Sequence, residues 1–164
     1  MAHLVRTLFI LIVLPLVLYG QVSVSGENKA EGFDKPVYGL GFSGGPASGV
    51  GLSFRDHFPS KLSLQLVFGI LKDKVNTFVS TGAELQYDLV RGSSTRFYFG
   101  PGVAYFYNGS KSNTFEAPTR VGVGLGGEFS IRDALHVSVE GMFVFFSDGS
   151  IIPLPQASIH YYFY

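Results

Sequence analysis

The sequence predicts an all-β protein, an eight-stranded antiparallel up-and-down transmembrane β-barrel. Three observations support this. Eight segments after residue 36 alternate with a period of two, bulky apolar residues on one face and glycine, serine or charges on the other. The breaks between them are alternately short and longer, as in outer-membrane barrels. The first residues have the pattern of an export signal.

The export signal lies at the start of the chain. Arg6 precedes an apolar run from Leu8 to Leu18, and the small residue Gly20 comes before a polar segment. This run is about half as long as a membrane-spanning helix requires, and Pro15 interrupts it. We predict a cleaved signal peptide over residues 1–20, with cleavage as late as Gly26 left open, and export through the Sec pathway. Residues 21–35 are predicted to be a flexible periplasmic tail, and residues 36–164 the barrel domain.

The composition narrows the class of protein. No cysteine occurs, so the chain has neither disulfides nor an N-terminal lipoprotein anchor. The formal net charge of zero argues against a basic surface for nucleic acid. Aromatic-rich and glycine-rich strands without cysteine fit a bacterial outer-membrane protein, and fit a secreted soluble β-protein less well.

The eight strands follow one another with polar breaks between them. The short breaks are His57–Ser60, Arg91–Thr95 and Arg132–Ala134, and the opposite ones are Gly44–Ser48, Lys72–Asn76, Asn108–Pro118 and Ser147–Pro155. In each strand the apolar face consists of every second residue of a range. In chain order these ranges are Tyr38–Phe42, Val50–Phe54, Leu62–Ile70, Val79–Leu89, Phe97–Tyr107, Val121–Ile131, Leu135–Phe145 and Ile159–Phe163.

The width of the lumen decides which face of the strands points inward. Eight strands leave a lumen only just wide enough for side chains, and about forty bulky apolar side chains would not fit there. The apolar face is therefore predicted to meet lipid, and the face with glycine, serine and charges to line the lumen. Aromatic residues near the short turns are predicted to form a girdle at the inner membrane interface: Tyr38, Phe54, Tyr87, Phe97, Phe129 and Phe163.

Three stretches carry a family resemblance. Gly39–Gly44, Ser53–Gln65 and Val121–Phe129, together with an aromatic C-terminus, resemble the small outer-membrane β-barrel proteins of the OmpA/OmpW-like superfamily. The resemblance covers roughly residues 36–164 and implies a fold, because that group shares an architecture and not a reaction. It also implies insertion by the barrel-assembly machinery through the C-terminal strand, and contact with outer-membrane lipid and lipopolysaccharide.

The charged residues of the predicted lumen form the main candidate site. Isolated charges are costly to bury, so we expect an interlocking network. Arg120 and Glu128 lie eight residues apart on one strand, so they are expected to pair with neighbouring strands, with Arg96 and Glu140 as partners. A narrow polar pore is the alternative, since lumenal glycines such as Gly100, Gly102 and Gly122 would leave gaps. The predicted network consists of Arg55, Glu84, Asp88, Arg96, Arg120, Glu128 and Glu140.

One group of residues resembles a catalytic set. His136, Ser138 and Glu140 share a face, as a nucleophile and base would. However, His136 and Ser138 are about 7 Å apart along the strand, and their face is lumenal, away from any acyl chain. We therefore predict no catalytic residues, no cofactor and no metal site.

Any ligand is expected at the outer loops, which a rigid barrel presents to solvent. The candidate contacts are Phe115 and Glu116 in the longest loop and Ile151 and Ile152 in the second.

The sequence thus predicts a non-enzymatic bacterial outer-membrane protein, structural or surface-binding and monomeric. A narrow channel for small or hydrophobic solutes is the alternative, and an envelope-lipid-modifying enzyme is the third hypothesis.

Overall fold

The computed structural model describes residues 36–163 apart from residues 93, 111, 116 and 133. The predicted signal peptide and periplasmic tail, residues 1–20 and 21–35, lie outside the described residues, as does Tyr164. Within the described part, no helix is long and apolar enough to cross a membrane.

Eight antiparallel strands close into a barrel in sequence order, and β1 pairs with β8. This confirms the predicted eight-stranded up-and-down architecture. The strands are β1 (Val37–Gly45), β2 (Gly49–His57), β3 (Leu62–Lys72), β4 (Thr77–Arg91), β5 (Thr95–Gly109), β6 (Thr119–Arg132), β7 (Leu135–Phe145) and β8 (Ile151–Phe163).

The two faces of the barrel have the predicted orientation. Bulky apolar side chains point outward: Leu52 and Leu125 are each 63% exposed, and Phe68 is 54% exposed. Charged side chains such as Arg55, Glu84 and Glu128 point inward and are at most 4% exposed. An apolar outer surface around a polar interior is the arrangement of a membrane barrel, since a soluble barrel buries its apolar face. The barrel is therefore a transmembrane one.

The two ends of the barrel differ in their connections. The start of β1, the end of β8 and the short connections that follow β2, β4 and β6 lie at one end, the short-turn end. The opposite end, here called the outer end, carries the connections over residues 46–48, 73–76, 110–118 and 146–150.

One predicted loop is shorter than expected. β8 begins at Ile151, so the loop predicted over Ser147–Pro155 covers only residues 146–150. Pro153 and Pro155 pair with β7 and both lie on the outward face. β1 pairs with β8 only as far as Ala157, so the proline segment has one free edge. A proline is tolerated on such an edge because no hydrogen-bond partner is lost there.

A close approach of backbones at the seam between β1 and β8 requires glycine at position 41. A Cβ atom there would meet the Ile159 carbonyl oxygen and lie 2.8 Å from the His160 Cα. At Gly44, on the outward face of the same strand, a Cβ atom would meet nothing within 4 Å. The inward face of the seam therefore has no room for a side chain at Gly41.

We expect Gly41→Ala to lower the stability of the barrel by about 1–3 kcal/mol, the usual cost of overpacking. The matched variant Gly44→Ala should leave it unchanged. The measurement is the urea midpoint of the folded, fast-migrating band on a gel run without heating. Equal midpoints for the two variants would contradict the role given to Gly41.

Candidate functional site: the lumen and its outer mouth

The lumen has two layers, and β7 shows the change from one to the other. Its inward side chains near the short-turn end are His136, Ser138 and Glu140, and those toward the outer end are Met142 and Val144. The inward side chains of β8 change in the same direction, from Tyr162, His160, Ser158 and Gln156 to Leu154 and Ile152. A polar layer therefore fills the inner half of the lumen and an apolar layer the outer half.

Glu128 on β6 is the centre of the polar layer. Its carboxylate accepts hydrogen bonds from the guanidinium groups of Arg55 and of Arg96, the latter at 3.0 Å. The Tyr162 hydroxyl donates to it at 3.1 Å, and His136 Nδ1 lies 3.2 Å away. One carboxylate is thus shared by an arginine from the neighbouring strand β5 and one from β2, across the lumen.

Both arginines are further fixed by other polar partners. Arg55 donates from Nε to Gln65 at 2.9 Å and from a terminal nitrogen to the Ser158 hydroxyl at 3.1 Å. Arg96 donates to Asp88 at 3.1 Å and to Gln86 at 2.6 Å. The ring of Tyr98 lies 4.3 Å from the Arg96 guanidinium carbon. Buried charges with this many partners are held in one position.

Glu84 and Glu140 form a second, acidic group above this centre. Gln156 Nε2 donates to a carboxylate oxygen of each, at 2.6 Å for Glu84. Gln86 Nε2 also reaches both, at 2.6 Å for Glu84 and 3.4 Å for Glu140, and the Tyr98 hydroxyl donates to Glu140. Among the described residues, neither carboxylate forms an ion pair with a cation. The side-chain amides of Gln86 and Gln156 therefore bridge the carboxylates of Glu84 and Glu140.

The structure brings six of the seven predicted network residues together. Arg55, Glu84, Asp88, Arg96, Glu128 and Glu140 are each at most 6% exposed and are linked by the contacts above. The expected pairing of Arg120 is wrong. Glu140 lies opposite Gly126 on β6, six residues from Arg120, and Arg96 lies opposite Glu128. Position along the strand, and not the face alone, decides which charges meet.

Three glutamines complete the polar layer, although the charge pattern did not single them out. Gln65, Gln86 and Gln156 are each at most 5% exposed and connect the charged groups of different strands. The signal in the sequence is their position: each lies on the inward face of a strand, where a polar side chain needs a partner.

An inward-folded turn closes the outer half of the lumen. Ala47 and Ser48, in the connection between β1 and β2, have no exposed surface. Ala47 packs with Met142 and Val144, and the cluster is extended by Phe146 and Leu154. We call this group, Ala47, Met142, Val144, Phe146 and Leu154, the apolar plug.

Lumenal glycines provide the space that the turn occupies. A Cβ atom at Gly82 would meet the backbone of Ser48, and one at Gly102 or Gly122 would lie 2.7 Å from the carbonyl oxygen or the Cβ of Ala47. These glycines lie on β4, β5 and β6, across the lumen from the turn. The gaps expected from glycine at these positions are thus filled by the chain itself.

Arg120 lies at the outer mouth, above the plug. Its guanidinium carbon is 4.5 Å from the ring centre of Phe106, 5.4 Å from that of Phe146 and 5.6 Å from that of Phe115. Its Nε donates a long hydrogen bond of 3.5 Å to the Ala117 carbonyl oxygen. Three aromatic rings therefore hold this charge in place.

Asn113 organises the longest loop, over residues 110–118. Its Oδ1 accepts hydrogen bonds from the backbone amides of Asn108 at 3.0 Å and Phe115 at 3.1 Å, and its Nδ2 donates to the Phe106 carbonyl oxygen at 2.8 Å. The Phe115 ring packs edge-on against Phe106, with centroids 6.1 Å apart. The loop is thus tied to β5 and presents Phe115 at the mouth.

The other predicted loop contacts occupy different places. Ile151 and Ile152 lie in strand β8, not in a loop, with Ile151 on the outward face. Glu116 lies outside the described residues. The second loop instead contains Asp148, where hydrogen bonds from the Ser150 hydroxyl and amide lower the pKa of that carboxyl.

The predicted girdle residues all lie toward the short-turn end. Tyr38 stacks on Phe54 with centroids 6.1 Å apart, and Phe97 contacts Phe129 edge-on at 6.2 Å. Their assignment to the inner membrane interface stays a prediction. The remaining two members pack on aromatic neighbours on the same outer surface, Tyr87 on Phe99 and Phe163 on Tyr161.

The catalytic-looking trio does not form a triad. His136 contacts Glu128, Ser138 lies 2.5 Å from the Ser158 hydroxyl, and Glu140 accepts from Tyr98. Ser138 is also only 2% exposed. In the part of the chain that the structure describes, no three His, Cys, Asp or Glu side chains converge as a metal site requires.

Comparison with known proteins identifies the architecture. No family model and no curated protein matches the chain. The N-terminal β-barrel domain of Pseudomonas aeruginosa OprF superimposes with a TM-score of 0.52 at 17% identity, over 80% of this chain and 99% of that domain. The chain has the fold of a small outer-membrane β-barrel. The Yersinia pestis outer membrane protein Ail, solved in a phospholipid bilayer nanodisc, gives a TM-score of 0.43 at 14% identity, over 81% of this chain and 100% of that one.

A Glu→Gln change is expected to affect the stability of the barrel differently in the two groups of the polar layer. Glu128→Gln leaves Arg55 and Arg96 without their shared anion, so we expect a loss of about 3–5 kcal/mol. Glu84→Gln removes one of two like charges and should cause no loss. The free energy of unfolding in lipid vesicles, followed by heat-modifiable migration, is the measurement. Equal losses in both variants would contradict the division into two groups.

Proposed function

We propose that this protein is a non-enzymatic bacterial outer-membrane protein whose closed barrel presents a binding surface at its outer loops. The observation that carries the proposal is the filled lumen. A polar layer centred on Glu128 and the apolar plug around Ala47 lie one above the other, with side chains buried to at least nine-tenths in both. A solute would have to displace both layers to cross.

The absence of an assembled triad supports the non-enzymatic role. Ser138 is buried and its hydroxyl lies against Ser158, so a substrate has no route to it. The fold is compatible with many functions, and the argument therefore depends on this site and not on the fold.

Location and partners belong to the same proposal. The outward apolar belt and the likeness to the OprF barrel domain support an outer-membrane location. Lipid and lipopolysaccharide would surround a monomeric barrel, and the assembly machinery would insert it through its C-terminal strand. Export through the Sec pathway follows from the predicted signal peptide.

The outer mouth is the best candidate for binding because several of its described residues are held by contacts within the chain and are still partly exposed. Asn113 fixes the loop over residues 110–118 to β5, and Arg120 is held between aromatic rings. A preordered loop loses little conformational entropy when a ligand binds.

We expect no steady single-channel conductance when the purified protein is inserted into a planar lipid bilayer. The reason is that both layers of the lumen are packed. A porin inserted into the same membrane serves as the positive control, and heat-modifiable migration verifies that the sample is folded. A stable open level in the folded wild type would overturn the closed barrel in favour of the narrow channel.

A further inference from the structure

Arg120 carries a charge that the described residues do not neutralise. It forms no ion pair with any of them, and its only polar contact is the 3.5 Å hydrogen bond from Nε to the Ala117 carbonyl oxygen. The side chain is partly exposed, so its terminal N–H groups are open to solvent. Of the five N–H donors of a guanidinium group, four therefore lack a partner in the described structure.

The described carboxylates of the outer loops and of the lumen make their hydrogen bonds to other residues. Asp148, in the neighbouring loop, accepts hydrogen bonds from Ser150. Asp73 accepts one from the Lys74 amide at 2.7 Å, in a different hairpin. Glu84 and Glu140 are buried beneath the plug and bound to glutamines. The described mouth thus has a positive charge above an apolar floor.

The aromatic rings make Arg120 a prepared site and not simply a solvated surface charge. A free arginine side chain loses rotamer entropy when it binds, whereas this one already lies over Phe106 with Phe115 and Phe146 beside it. Rings that face a guanidinium plane leave its edge, where the N–H groups lie, available for hydrogen bonds.

We propose that Arg120 binds an oxyanion, a carboxylate or a phosphate group, of a ligand that reaches the outer mouth of the barrel. The guanidinium fork matches the two oxygens of such a group, and the charge assists both hydrogen bonds. Phe115, partly exposed beside it, offers an apolar contact to the rest of the ligand. This inference rests on one part of the proposed function, namely that the outer mouth of the barrel faces the outside of the cell.

The test uses the full mature chain, folded in a non-ionic detergent. NMR follows the arginine Nε–H signals and the backbone amide of Phe115, which can still be observed when Arg120 is replaced. Inorganic phosphate and acetate are titrated separately as probes. We expect a saturable shift of the Arg120 signal with at least one probe. Arg120→Gln should weaken binding at least about tenfold, which corresponds to about 1.4 kcal/mol, and Arg120→Lys by less, because it keeps the charge and loses the fork.

Three further variants serve as controls. Arg132→Gln removes an exposed arginine at the short-turn end and should not change binding. Asn113→Ala frees the loop that carries Phe115 and should weaken binding by a few-fold while Arg120 remains. Glu116→Gln removes the carboxylate nearest in sequence to Arg120 and should leave binding unchanged or tighter.

An experiment in lipid nanodiscs distinguishes the two possible sources of the oxyanion, a lipid headgroup and a soluble molecule. If phosphatidylglycerol in the disc competes with added phosphate, the natural ligand is a lipid headgroup; if it does not, the ligand is a soluble molecule. Either result supports the site. No saturable shift at Arg120, equal affinity in Arg120→Gln, or binding that appears only in Glu116→Gln would overturn it. Conductance does not enter this test, so a failure here is separate from a failure of the closed barrel.

Discussion

The shared contact of Glu128 with Arg55 and Arg96 is the interaction on which the rest of the lumen depends. It joins β6 to the neighbouring strand β5 and, through the interior of the barrel, to β2, which is not a neighbour. Without the carboxylate, Arg55 would lose the anion that pairs with it, Arg96 would keep only Asp88, and two buried guanidinium groups would repel each other. Glutamines and serines around them accept hydrogen bonds from Nε of Arg55 and from the terminal nitrogens of Arg96, whereas Nε of Arg96 has no partner in the described part of the chain.

A polar network of this kind also limits what the outer half of the lumen can be. The buried arginines and carboxylates find their polar partners within the inner half, so the outer half can be apolar, and Met142, Val144 and Leu154 follow the polar residues along β7 and β8. An apolar layer requires material to fill it, and the turn through Ala47 supplies that material against Gly82, Gly102 and Gly122. With the interior used for packing, recognition has to take place on the loops.

The sequence predicted the faces of the strands well because the side-chain period of two is a local property. It could not predict which charges meet, because contacts across the lumen depend on how the closed barrel offsets its strands. Arg120 shows the difference: its face suggested the charge network, but it lies six residues from the position opposite Glu140. Likewise Pro153 and Pro155 suggested a loop, whereas the end of the β1 pairing at Ala157 leaves them a free edge within β8.

Arg96 and Arg120 show how one residue type serves two purposes in this barrel. Each lies over an aromatic ring, Arg96 4.3 Å from Tyr98 and Arg120 4.5 Å from Phe106. The aromatic contact is therefore not what distinguishes them. Arg96 is buried and has Asp88 and Glu128 as anions, so all of its charge is used for stability. Arg120 is partly exposed and has no anion among the described residues, so its position contributes little to the network and keeps its hydrogen-bonding edge for a partner from outside the chain.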